Sequence, residues 1–162
     1  MLNNILYFLL GIALVWIPVL ILCPRLKVTD SMPKHILARN NPFIIKIRSD
    51  IDNWTGTLAQ ELYESKFKHN PISLLRLVFG DDNLEREMEL MGHEITVQFL
   101  PEEKQHIARL KHAKALKDYY DAFEDWTIDV IYECMLEESP YAQEWIADNI
   151  DKITDLERKR YE

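Results

Sequence analysis

The sequence predicts a mainly α-helical protein: an N-terminal transmembrane helix followed by a compact helical domain with one short β element. Three observations predict it. Ile5 to Cys23 runs without a single charge. Beyond it, apolar residues recur at helical spacing in successive segments separated by Pro, Gly, Asn and Asp. Only Phe43–Arg48 alternates and is β-branched, the pattern of a strand.

Residues 1–26 read as a membrane anchor. At ~1.5 Å rise per residue, Ile5–Cys23 makes roughly 28 Å of helix, close to the ~30 Å hydrocarbon core of a bilayer. Met1-Leu2-Asn3-Asn4 lacks the basic start of a secretory signal, and Cys23-Pro24-Arg25 lacks a small-residue cleavage site, so the anchor is read as uncleaved. Pro18 is tolerated inside a membrane helix, and Trp16 suits an interface. Arg25, Lys27, Lys34 and Arg39 follow the span and no Lys or Arg precedes it. The positive-inside rule therefore predicts a single-pass protein with its C-terminal domain on the cytoplasmic side. The implied partner of Ile5–Cys23 is a lipid bilayer or, as the alternative, a hydrophobic protein environment such as the interior of a virion.

Residues 27–42 read as a juxtamembrane connector broken by Pro33 and Pro42, and residues 43–162 as the soluble helical domain. Phe43–Arg48 is expected as an edge strand. Asp52–Thr57 is expected as a turn, with Thr57 as N-cap and Gln60 as its capping-box partner. A helix then runs from Leu58 to Lys68 and stops before Asn70-Pro71. Ile72–Phe79 is an apolar helix with Leu74, Leu75, Val78 and Phe79 on one side. Gly80–Asn83 interrupts, and Leu84–Phe99 is the next helix. Pro101 opens another toward Tyr120. Two more follow, Phe123–Glu138 and Tyr141–Arg158, with Pro140 at the first position of the last.

Composition limits the function. The net charge of -8 over 162 residues argues against nucleic-acid binding, which calls for a basic face. Two cysteines, Cys23 and Cys134, make neither a disulfide framework nor a cysteine zinc site. There is no Gly-rich phosphate loop and no G-x-S-x-G elbow. The lysine-rich run holding His106, Arg109 and His112 reads as a solvated face, and the C-terminal aromatics read as core.

One stretch carries candidate chemistry. Thr57-Leu58-Ala59-Gln60-Glu61-Leu62-Tyr63-Glu64 places polar residues at i, i+1 and i+4 on one helix. H-E-x-x-H uses that spacing to put two metal ligands one turn apart, with a general-base Glu beside them. Here the middle Glu is kept and both histidine positions are replaced. The plainer reading is a solvated face of Gln60 and Glu64 opposite an apolar face of Leu58, Leu62 and Phe67. A second set, Glu85, Glu89 and His93, shares a face at i, i+4 and i+8 and is a candidate metal face with Glu61 or His69.

The order of these segments resembles small HExxH-type zinc metallopeptidase-like proteins of bacteria and phages. In that family a strand precedes a T-L-A-H-E-L-x-H helix. An apolar helix and a helix bearing a third, Glu ligand come after it. The resemblance spans Pro42 to Gln98. It implies that Glu61 stands at the general-base position, Gln60 and Glu64 at the two histidine ligands, and Glu89 or Glu85 at the third ligand, with His93 nearby. An oxygen-only set of Gln60, Glu64 and Glu89 suits Mg²⁺ or Ca²⁺ better than zinc. The expectation is therefore a pseudo-metallopeptidase without a cofactor. It would act as a membrane-anchored structural or interaction protein with protein partners, a phage virion being one setting. The alternative is a membrane-bound, divalent-metal-dependent hydrolase with Glu61 as base.

Overall fold

The structure, a computed structural model, describes residues 25–29, 32, 38–41 and 44–159. The predicted span Ile5–Cys23 lies outside the described residues. Among those described, no helix is long and apolar enough to cross a membrane. The architecture is mainly helical, with three strands and five α-helices among the described residues: β1 (Arg25–Thr29), β2 (Ala38–Asn41), β3 (Ile44–Arg48), α1 (Trp54–His69), α2 (Pro71–Val78), α3 (Asp82–Gln98), α4 (Glu102–Tyr119) and α5 (Ile128–Arg158). A 3-10 turn, Asp121–Phe123, joins the last two helices.

The β element is larger than the sequence suggested, and the connector reading of 27–42 is corrected. The sheet order is β1-β3-β2, so β3 is the central strand and not an edge. β1 runs parallel to it and β2 antiparallel. Ile45 and Ile47 of β3 point into the core, while Ile44, Lys46 and Arg48 alternate to the half-buried face. β1 and β2 are short and polar. They become strands because β3 offers its backbone groups on both sides, a long-range effect that local propensity does not carry.

The first helix begins at Trp54, inside the expected turn, and Asn53 rather than Thr57 stands at its N-cap. The Asn53 side chain makes no cap bond; its amide donates instead to the Thr96 carbonyl at 2.8 Å. The Thr57 hydroxyl donates back to Asn53 O at 3.0 Å. α2 is capped by Asn70, which accepts from Ile72 N and Ser73 N. It ends at Gly80, whose φ of +73° suits glycine. The bonds Asp81 N to Arg76 O and Gly80 N to Leu77 O close a Schellman ending there.

The two expected C-terminal helices are one. α5 is 31 residues long, about 46 Å, and Pro140 lies within it. A proline there removes one helix hydrogen bond. The helix continues because both halves are held by packing: Ile131 and Met135 before the proline, Ala142 and Ile153 after it.

Two cores result. One joins the sheet to α1, α3 and the end of α5 through Ile45, Ile47, Leu58, Leu62, Ile95 and Ile153. The other joins α3, α4 and the start of α5 through Leu90, Val97, Leu116, Phe123, Ile131 and Met135. α3 serves both, and this central place sets the carboxylates of its other positions against α1.

Candidate functional site: a carboxylate cleft between two helices

α1 and α3 pack antiparallel. Thr96 Oγ1 donates to Gln60 Oε1 at 2.8 Å and lies 3.3 Å from Gly56 O. Further along, Gly92 lies against Gln60 and Glu64. A Cβ at Gly92 would stand 3.3 Å from Gln60 Cγ and 3.4 Å from Glu64 Oε1, so the missing side chain sets the close approach.

This packing creates a cleft of about 410 Å³ lined by Gln60, Glu61, Glu64, Glu85, Glu89 and Tyr120, with Lys68 and the apolar Ala38, Leu77 and Met88. Four of the sequence-derived site residues, Gln60, Glu61, Glu64 and Glu89, are therefore neighbours. The solvated-face reading of Gln60 and Glu64 is corrected: Glu64 is buried, at 6% exposure, and Gln60 is half-buried, with Glu61 beside them buried at 8%. His93 sits one turn beyond Glu89, with Nε2 3.6 Å from Glu89 Oε2. His69 is directed elsewhere, its Nδ1 2.5 Å from Ser65 O.

The electrostatics follow from burial. Burial, reinforced by Glu64 and Glu61, holds the Glu89 carboxyl well above the usual range; Lys68 and a hydrogen bond with Tyr120 oppose the shift. Burial and the nearby Asp82 and Asp121 also raise Glu85. Burial likewise raises the Tyr120 hydroxyl, helped by Glu89, so it stays protonated as a donor. Glu64 accepts from Gln60 Nε2 at 2.9 Å and from Lys68 Nζ at 3.2 Å.

Sequence reasoning missed two inward-turned residues of α4. His112 was assigned to a solvated face, yet its Nδ1 lies 2.7 Å from Nδ1 of His93. Burial lowers His112 to about 4 and, with His112 itself, holds His93 well below the usual range. Glu89, His93 and His112 thus form a row, buried at Glu89 and half-buried at the two histidines, from the carboxylate cleft to a second cleft of about 620 Å³, lined in part by Asn53, Thr96, Lys111 and His112. Arg109, from the same run, is also buried and forks onto Glu94 at 2.9 and 2.7 Å. Helical spacing was the available signal: His112 and Arg109 share a face with buried Ala113 and Leu116.

The residues do not fit zinc. Both polar ends of Gln60 are engaged, its carbonyl by Thr96 and its amide by Glu64. Among the described residues, no group of three or more His, Cys, Asp or Glu side chains is arranged to hold a metal ion. No family model, curated protein or solved structure matches the chain.

Proposed function

We propose that this chain is a membrane-anchored interaction protein on a degenerate metallopeptidase-like scaffold. Ile5–Cys23 serves as its single-pass span, and the helical domain sits on the cytoplasmic side. The observation that carries the interaction reading is α2. None of its residues is buried, and Ile72, Leu75, Val78 and the following Phe79 are 70, 52, 70 and 83% exposed. A folded domain that keeps a well-capped helix with its apolar side in water has a contact surface there. The lost zinc-ligand pattern supports a non-catalytic role for the neighbouring cleft, because Gln60 and Glu64 bind each other and Glu61 gains no polarised water to deprotonate.

A photo-reactive residue at Phe79, compared with one at the exposed Lys114, tests the reading in membranes containing the full chain. The expected result is a discrete protein adduct from position 79 and none from 114. That adduct should vanish in an Ile72→Ser/Val78→Ser/Phe79→Ser variant that keeps its helical circular dichroism. Equal adducts from both positions would sink the interaction reading. Metal analysis of the purified protein tests the scaffold reading: a stoichiometric transition metal would favour a hydrolase with Glu61 as base.

A further inference from the structure

The carboxylate cleft contains a buried acceptor with nothing to accept. Glu89 is 4% exposed and lines the cleft, and its Oε2 has no hydrogen-bond partner among the described residues. His93 Nε2, at 3.6 Å, is beyond hydrogen-bonding reach. The Tyr120 hydroxyl hydrogen-bonds the same carboxyl group. A buried oxygen of this kind calls for a donor from outside the chain.

The donor's chemistry follows from the lining. Lys68 is the one cation among the cleft's described lining residues, set against the carboxylates of Glu61, Glu64, Glu85 and Glu89. Ala38, Leu77 and Met88 supply an aliphatic wall. A volume of about 410 Å³ falls within the range of small-molecule sites. Glu85 and Glu89 are one turn apart on α3, a rise of roughly 6 Å, which a short alkyl chain spans. Glu85 is half-buried where Glu89 is fully buried, so the pair leads from the mouth to the floor. We propose that the cleft binds an aliphatic diamine, with one ammonium on the Glu89 carboxylate, the other at Glu85 and the methylenes along Leu77 and Met88.

Binding is linked to protons. The groups facing Glu89 are Glu61, Glu64 and Lys68 from α1, Glu85 and His93 from α3 with His112 of α4 behind, and Tyr120. Glu89 is held in its protonated form above the ordinary carboxyl range. An ammonium favours the carboxylate, so binding releases a proton and strengthens as pH rises.

The test is isothermal titration of the full chain in detergent with 1,4-diaminobutane, in two buffers of different ionisation enthalpy. One saturable site is expected, with proton release and tighter binding at pH 8 than at pH 6. Glu89→Gln should weaken binding roughly 10-fold or more, the worth of one charge-assisted hydrogen bond. Glu85→Gln, and butylamine in place of the diamine, should each bind more weakly. No saturable heat at millimolar diamine overturns the proposal, as does unchanged binding by Glu89→Gln. If Glu89→Gln does not fold, equal binding of butylamine and the diamine together with full affinity in Glu85→Gln overturns it. Competitive displacement of the diamine by Zn²⁺ or Mg²⁺ makes the cleft a metal site and overturns it too.

Discussion

Replacing Arg109 by Met should destabilise the protein more than any surface change, and the structure supplies the size of the effect. Glu94 is 0% exposed and Arg109 7%. The guanidinium donates Nε to Oε2 at 2.9 Å and Nη2 to Oε1 at 2.7 Å, the two-pronged geometry of a strong pair. Removing the cation leaves a buried carboxylate whose remaining donor is Gln98 Nε2, at 2.6 Å. Breaking a buried pair on one side costs ~3–5 kcal/mol, and the surviving Gln98 bond favours the lower end. For a domain of this size about 3 kcal/mol corresponds to roughly 10 °C in melting temperature. Urea unfolding of the full chain in mild detergent, followed by tryptophan fluorescence, measures it. Glu94→Gln combined with Arg109→Met should recover more than half of the loss, because the unpaired charge is gone. A loss under about 1 kcal/mol, or a double variant as unstable as the sum of the singles, would refute the reasoning.

Three further outcomes are expected. Glu89 has a folded pKa raised by burial and by Glu64, so its stabilising share is present below the unfolded value of 4.5 and is lost as pH rises; Glu89→Gln should melt higher than the parent at pH 8, with little advantage at pH 4, and a parent that melts higher at pH 8 contradicts this. His112 has a folded pKa lowered to about 4 from 6.5, so stability present above pH 6.5 is lost as pH falls toward 4. At ~1.4 kcal/mol per pH unit this is about 3 kcal/mol, and a His112→Gln variant with an undiminished slope across that window would disprove it. Gln60→His with Glu64→His sets two imidazoles one turn apart facing Glu89 and should tighten zinc binding roughly 100-fold or more; calorimetry showing no gain removes the metallopeptidase-like kinship.

Local chemistry made much of the helical part legible. The end of α1 before Asn70-Pro71 and the break at Gly80-Asp81 follow from residues within a few positions of each boundary. Pro101 likewise marks the start of α4. The start of α1 was misread because the capping signal at Thr57 is local, whereas Asn53 is held by a carbonyl 43 residues away. Pro140 failed as a stop for a similar reason: contacts on both sides of it keep α5 whole. At the site, the i, i+1, i+4 pattern already singled out Gln60, Glu61 and Glu64, and the i+4 spacing on α3 singled out Glu89 and His93. Spacing along two separate helices does not state that they meet.

The sequence by itself determined the helical class, most helix boundaries and which polar residues share a helix face, because these depend on period, capping and breakers close in the chain. Tertiary structure alone decided that β3 is a central strand, since strand rank depends on partners distant in sequence. It also decided that Glu61, Glu64 and Glu89 are buried together and that His112 turns inward to His93. The physical reason is the antiparallel approach of α1 and α3 at Gly92. Packing of the two cores brings the helices to that distance, and only there do carboxylates from both become a single shared, desolvated cleft.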